Sequence, residues 1–366
     1  MKDFKIFEYM EQYSYEQVNF FHHKESGLKA VTAVHNTVLG PALGGSRFWN
    51  YATEEEAIYD AMRLARGMTY KSSLAGINLG GGKTVIWGDV NRIKADPVLA
   101  ESFWRAFGRY IESMHGRYIT AADMNTGEAV LSIVNQETEH VVGLPGRSGN
   151  PSPKTARGTF RAIQACCEHL YGTKSTKGRT VAVQGVGEVG RVLCELLHED
   201  GANLIITDIN QDLIDRVVKS TGAKVVKPDE IYSVECDIYA PSAMGATVNK
   251  DTIPQLKCKI VCGAANNVLA HQDEDGTALH EKGILYAPDY LANAGGVINV
   301  FHELNIKGYN EENAIKDIDQ IYDRMLDVLT KAKESGKPTY KIANEIAEAR
   351  IAAMSNVNNI RTKGLV

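Results

Sequence analysis

TVAVQGVGEVG, residues 180–190, opens on β-branched and apolar residues and closes on three glycines spaced G-x-G-x-x-G. The opening run reads as a buried strand. Val192, Leu193, Leu196 and Leu197 follow at helical spacing, up to Gly201. A second apolar run, Leu204-Ile205-Ile206-Thr207, ends on Asp208. The glycine spacing alone carries little weight. With a strand before it, a helix after it and an acidic residue about twenty positions on, it is the fingerprint of a dinucleotide-binding βαβ unit. Gly185 makes the tight turn, Gly187 lets the backbone approach a pyrophosphate, and Gly190 lets helix and strand pack closely. The helix opens at Glu188 and Val189, where unpaired amides and the helix dipole attract the anion. Asp208 can accept hydrogen bonds from ribose hydroxyls and would repel a 2′-phosphate, which favours NAD over NADP. A purely structural glycine turn is the alternative.

Strand–helix alternation continues through Asp237-Ile238-Tyr239-Ala240-Pro241, Ile260-Val261-Cys262-Gly263 and Ile284-Leu285-Tyr286-Ala287-Pro288. Each run ends in small or amide residues. In an open α/β sheet, ligands bind beyond the carboxyl ends of the strands. Asn266 and Asn293 are therefore candidates for contacts to cofactor or substrate, with simple turn roles as the alternative. Thr155, Ala240, Pro241 and Ala264 are further expected cofactor contacts.

Before this unit, residues 143–153, GLPGRSGNPSP, form the best linker. The whole chain has 366 residues, a length suited to two domains. The expected boundaries are 1–146 with 330–366 for a substrate-binding and oligomerisation domain, and 147–329 for the dinucleotide-binding domain. Hydrophobic residues at 44% and charged residues at 23% are ordinary for a soluble globular protein. A net charge of -5 argues against nucleic acid or an anionic membrane as partner. The N-terminus has no apolar run of signal-peptide length, and no stretch is long enough to span a bilayer. The six cysteines include no C-x-x-C pair and sit in apolar segments. They read as core thiols in a reducing cytoplasm, and no metal site is expected.

In the first half, residues 67–87 read GMTYKSSLAGINLGGGKTVIW. Lys71 and Lys83 stand among small residues, which suits a small anionic substrate because bare backbone passes close to a ligand. The end of the run imitates a phosphate-binding P-loop, but Ile77 stands where that motif needs glycine, and Thr84-Val85-Ile86-Trp87 reads as a strand rather than a helix. A glycine-rich turn with solvated lysines is the competing account. Upstream, residues 28–38 alternate as a strand, and His35 within it reads as packed or surface. His22 and His23 read as loop residues. Residues 40–45, GPALGG, read as a second small-residue loop whose amides could meet a carboxylate.

Thr53 and Glu56 have the form of a capping box. The helix they start, with Ile58, Met62, Ala65 and Met68 on one face, delivers Lys71 from its C-terminal end. Asp96-Pro97 starts another helix, with Leu99, Phe103, Phe107, Tyr110 and Met114 as its buried stripe. Residues 117–126, RYITAADMNT, read as a short strand ending in a polar loop, and Asp123 there is either a loop cap or a neighbour of the lysines. A long helix is expected over 311–332 and a final one over about 340–354.

Taken together, LGPALGGSR, RGMTYKSSLAGINLGGGKTVI, RYITAADMNT, SGNPSPKTARG, VAVQGVGEVG, GAANNVL and NAGGVINV resemble the Glu/Leu/Phe/Val dehydrogenases in content and order, over nearly the whole chain. The resemblance implies an α/β fold of two domains separated by a cleft, the second a Rossmann-type dinucleotide-binding fold. It implies NAD, a small amino acid or 2-oxo acid substrate, and a homo-oligomer, an octamer or dimer. It also implies reversible oxidative deamination, with branched-chain L-amino acids favoured, phenylalanine or valine as rival substrates, and a non-catalytic NAD-binding scaffold as the alternative of another class.

By the same resemblance Lys71 binds the substrate carboxylate, Lys83 and Asp123 are catalytic, and Gly44 and Gly45 line the site. Asn266 and Asn293 hold substrate or nicotinamide, and Leu43, Ala121, Val297 and Val300 shape the side-chain pocket. Phe301-His302, Asn125 and Ser242 depart from the family's usual residues. A lysine acting as base needs a lowered pKa. The expected source is Lys71, since like charges about 7 Å apart at an effective dielectric near 20 repel by roughly 2 kcal/mol, over one pKa unit.

Overall fold

In the computed structural model, which describes residues 4–358, the chain divides into two units. The first comprises the described residues up to Gly149, Val300–Tyr309, and those from Ala347 onward; the second comprises Asn150–Asn299 and Asn310–Ile346.

The first unit is built on a five-stranded sheet of β1 (Gln17–His23), β2 (Leu28–Asn36), β3 (Ala42–Trp49), β4 (Gly80–Trp87) and β5 (Tyr118–Ala121). The order is β1-β2-β4-β3-β5, with β1, β2 and β4 antiparallel in turn and β3 parallel to both β4 and β5. The helix Glu54–Leu74 packs Ala57, Ala61, Met62 and Ala65 against Val31, Ala33 and Val85. The helix Pro97–Glu112 packs Phe103, Trp104, Phe107 and Ile111 against Leu28, Phe48 and Ile86. Each large apolar side chain buried this way contributes about 1.5–3 kcal/mol.

Both helices are capped by the expected residues, although Glu56 meets the Ala52 amide and not the Thr53 amide that a capping box uses. Thr53 Oγ1 accepts from the Glu56 amide at 3.2 Å, and Glu56 reaches back to the Ala52 amide at 3.1 Å. Asp96 Oδ1 accepts from the amides of Val98 and Leu99 at 3.0 and 3.1 Å.

Three readings are corrected here. His22 and His23 lie in β1 rather than in a loop. Gly44 and Gly45 lie inside β3, and the Gly80-Gly81-Gly82 run lies inside β4, so neither glycine segment is a turn. A strand glycine marks a close backbone approach. A Cβ on Gly81 would lie 2.1 Å from the Thr69 nitrogen, and one on Gly82 2.7 Å from the Tyr118 ring.

The second unit carries a fully parallel sheet: β6 (Thr180–Gln184), β7 (Asn203–Thr207), β8 (Lys224–Val225), β9 (Ile238–Pro241), β10 (Ile260–Val261) and β11 (Leu285–Tyr286). Its order, β11-β10-β9-β6-β7-β8, is the doubly wound Rossmann arrangement, with the switch point between β6 and β9. The expected helix over 311–332 is split at Gln320 into Glu311–Asp319 and Ile321–Ser335, while Ile318, Ile321, Met325 and Leu329 still form one buried stripe.

Ile321–Ser335 packs on Ser152–Tyr171, and Tyr340 belongs to the core beneath β9 and β10. Residues 330–346 therefore go with the second unit, not the first. The last helix, Thr339–Asn358, contributes its later residues to the first unit: Arg350 donates to the Ser73 and Ile77 carbonyls at 3.0 Å each. That clamps the end of the helix that carries Lys71.

His35 is packed. Its Nε2–H donates to the Tyr13 carbonyl at 3.0 Å, and its Nδ1 accepts from the Thr69 hydroxyl at 2.8 Å. Burial pushes its pKa down to about 4, against the pull of the Tyr13 carbonyl. An unfolded histidine takes its proton near 6.5, so between pH 4 and 6.5 the unfolded state binds more protons and stability rises with pH, by up to about 3 kcal/mol across the window. Thermal melts over this range should show that dependence, and His35→Asn should be less stable but flatter with pH.

Candidate functional site

Lys83 leaves β4 level with Gly45 of β3, because the parallel register pairs Leu43 with Gly81 and Ser46 with Thr84. On its other side Gly45 pairs with Ala121 of β5, two residues before Asp123. A Cβ at Gly45 would lie 2.4 Å from the Ala122 carbonyl oxygen and 2.9 Å from Asp123 Cβ. With no side chain in between, Lys83 Nζ donates to Asp123 Oδ2 across β3. Gly44 closes the floor beneath them: its Cβ would lie 1.8 Å from the Gly82 carbonyl oxygen. Lys71, half-buried, stands in the last turn of Glu54–Leu74, two residues beyond the Thr69 amide that touches Gly81.

Lys83 is 5% exposed. Burial is the largest influence on its ammonium and lowers its pKa; Asp123 opposes this, and the guanidinium of Arg47 adds to it. Burial works against the Asp123 anion, but Lys83 and Arg47 outweigh it and hold the carboxyl below its ordinary value. Arg47 is thus a cation that depresses Lys83, a part for which the sequence reading named Lys71 alone. Arg47 Nη2 lies 3.6 Å from Asp123 Oδ1, and its Nη1 lies 3.0 Å from Asp60 Oδ2. The Asp123 loop is held locally. Oδ1 accepts from the Met124 amide at 2.6 Å, and the Asp123 amide donates to Thr126 Oγ1 at 3.0 Å. Asn125 adopts φ +61°, which explains why it can stand where glycine is usual.

Sequence reasoning missed Arg47, Asp60 and Tyr51. The signal lies in the register: Arg47 is two residues past Gly45 and Asp123 two past Ala121, so the pair falls on one face. Of the apolar candidates, Leu43 and Val300 are buried and Ala121 is half-buried, all in the first unit; Val297 is half-buried in the second.

In the second unit Gly185 has φ +93°, and a Cβ there would lie 2.4 Å from Ala243 Cβ. A Cβ at Gly190 would lie 2.0 Å from the Gly185 carbonyl oxygen, whereas one at Gly187 would meet nothing within 4 Å. Gly187 precedes the helix Glu188–Glu199 with no side chain capping its first amides. Those amides, from Glu188, Val189 and Gly190, stand at the helix N-terminus, where the dipole favours an anion.

Asp208 follows β7 and ties the loop down, accepting from the amides of Val186 at 2.8 Å and Asn210 at 3.0 Å. Each oxygen keeps a lone pair for a ribose hydroxyl. Asn293 Nδ2 donates to the Ala265 carbonyl and to Asn266 Oδ1, both at 3.0 Å. Its Oδ1 is buried and, among the described residues, has no hydrogen-bond partner. A buried acceptor left unmet is costly, and an N–H of a bound amide or amine would satisfy it. Ala240 and Pro241 end β9 at the switch point and are buried, as is Ala264, whereas Asn266 is exposed. Thr155 Oγ1 lies 2.7 Å from where a Gly296 Cβ would stand, beside Val297.

Comparison with known proteins gives a consistent result. The family model described as Glu/Leu/Phe/Val dehydrogenase, dimerisation domain, matches residues 15–140, and Glutamate/Leucine/Phenylalanine/Valine dehydrogenase matches 146–215 and 206–361. Leucine dehydrogenase of Bacillus cereus is 53% identical over 96% of this chain and 95% of its own length. Valine dehydrogenase of Streptomyces virginiae is 44% identical over 93% and 95%. Among solved structures, L-tryptophan dehydrogenase from Nostoc punctiforme has a TM-score of 0.83 at 42% identity, covering 96% of this chain and all of that one.

The two fingerprint glycines separate packing from ligand access. Gly190→Ala should destabilise the second unit by about 1–3 kcal/mol through the backbone clash. Gly187→Ala should melt as the wild type does yet bind NAD at least about tenfold more weakly, since the methyl occupies the pyrophosphate's approach. Thermal melts with and without NAD read both effects.

Proposed function

The chain belongs to the Glu/Leu/Phe/Val dehydrogenase family and is an amino acid dehydrogenase; from that premise we propose that it carries out the NAD-dependent, reversible oxidative deamination of branched-chain L-amino acids, L-leucine first and also valine and isoleucine, to 2-oxo acids and ammonia. The observation that carries this reading is the buried Lys83–Asp123 pair, in a chain sharing 53% of its residues with leucine dehydrogenase across 96% of its length.

NAD, held at the amides of Glu188, Val189 and Gly190 and by Asp208, would supply the acceptor for the hydride of the substrate Cα. The remaining work falls to side chains. Lys71 binds the substrate carboxylate. Asp123, held anionic by its two cations, takes the proton that frees the substrate amine. Burial disfavours the charge on Lys83 and lowers its pKa, so Lys83 is the group that activates the water adding to the iminium carbon and polarises the oxygen that becomes the carbonyl. Asn293 Oδ1 offers the acceptor for the nicotinamide carboxamide or the substrate amine. Gly44 and Gly45 line the substrate by backbone alone.

Leu43, Ala121, Val297 and Val300, the residues proposed to meet the substrate side chain, are all apolar and offer no charge to a glutamate side chain. Because one methylene is worth only about 1–3 kcal/mol there, leucine, isoleucine and valine should all react, within about 200-fold of one another. Asp208 favours NAD over NADP. The exposed Phe20 on edge strand β1, in a region matching a dimerisation-domain model, supports a homo-oligomer, octamer or dimer. Six unpaired thiols fit a cytoplasmic setting.

NADH production over a panel of L-amino acids, repeated with NADP, tests the assignment. Leucine, valine and isoleucine should react with NAD and glutamate should not; activity on glutamate alone, or on none, would overturn it. Lys83→Ala should lower kcat by about 10²–10⁴-fold while NAD binding, followed by its fluorescence, is retained.

A further inference from the structure

The Lys83–Asp123 pair has a third member. We propose that Arg47 is a positioning residue for the reaction: it holds Asp123 Oδ1, which leaves Oδ2 to Lys83, and is itself held by Asp60. The inference rests on the reading of Lys83 and Asp123 as the reacting pair.

The guanidinium bridges two carboxylates on separate nitrogens, with Nη2 3.6 Å from Asp123 and Nη1 3.0 Å from Asp60. Asp60 is 6% exposed and is fixed in turn: the Tyr51 hydroxyl donates to its Oδ2, and Arg63 Nη2 lies 2.6 Å from its Oδ1. Arg47 Nε is buried and has no partner among the described residues, so the terminal nitrogens do the anchoring. A planar fork suits this bridging because its donors sit on separate nitrogens, whereas a lysine ammonium offers all three from one atom. The chain from Asp60 on the Glu54–Leu74 helix, through Arg47 on β3, to Asp123 beyond β5 fixes the rotamer of the carboxylate that must face substrate.

The same cation acts on both partners. The charged groups joined to the pair include Lys83 from β4, Arg47 from β3, Asp123 from the loop after β5, and Asp60 with Arg63 from the Glu54–Leu74 helix, which also carries Lys71; Tyr51 adds a titratable hydroxyl from the segment after β3. Without Arg47, Asp123 loses a stabiliser of its anion and accepts a proton at higher pH. Lys83 loses a like charge and keeps its proton to higher pH. Both displacements run upward. Whichever group governs the rising limb of the kcat/KM profile for amino acid oxidation, that limb moves to higher pH.

The test compares wild type, Arg47→Gln and Arg47→Lys with L-leucine and NAD across pH. Arg47→Gln should lower kcat at least about tenfold, leave KM for NAD unchanged, and raise the limb by about one pH unit. Arg47→Lys should bring the limb back towards its original place but recover kcat only in part. A limb in Arg47→Gln coincident with wild type, whatever the loss of thermal stability, would overturn the proposal and leave Arg47 a structural brace. A carbon-13 titration of the Asp123 carboxyl reads the same displacement without turnover, with Arg47→Lys as the folded comparator if Arg47→Gln does not fold. Inactivity of the wild type on every amino acid would count against the reaction assigned above, while an unmoved Asp123 titration would count against the clamp itself.

Discussion

An ammonium group buried in protein is tolerated only when an anion meets it, since desolvation otherwise forces it to give up its proton. Lys83 is held at that balance. The carboxylate it meets, Asp123, lies across the neighbouring strand, so β3 must be bare where the two groups meet. From this follow the glycines of β3 and β4, the contact of the Glu54–Leu74 backbone with Gly81, and the stacking of Tyr118 under Gly82. The mixed sheet is the scaffold that brings an otherwise unstable charge to one place.

The second unit solves a different problem, the recognition of a large anionic ligand, and does so largely with backbone. Asp208 ties the glycine loop to the end of β7 through the Val186 amide. Asn293 works the opposite way: its amide nitrogen is fully engaged and its oxygen is left over. One side chain thereby both orders the segment after β10 and keeps an acceptor ready.

How much of this could be read from the sequence depended on range. The fingerprint, its flanking strand and helix, and the caps at Thr53 and Asp96 are local patterns, and the structure has them as expected. The glycine runs at 44–45 and 80–82 read as loops because the backbones they accommodate lie far away in the chain: Gly82 for Gly44, Thr69 for Gly81. Arg47 was invisible for the same reason, since its relation to Asp123 exists only once β3 and β5 are in register. The long helix over 311–332 kept its stripe but broke at Gln320, a detail that apolar spacing does not encode.

The crowding beneath Lys83 also sorts the chain by its freedom to vary. Gly44, Gly45, Gly81 and Gly82 are each hemmed in by main chain or by a ring, so that face can accept no novelty. Leu43 is sealed in the same sheet, but Val297 stands half-open on a short helix. A new side chain is therefore cheap at Val297 and costly at any of the four glycines.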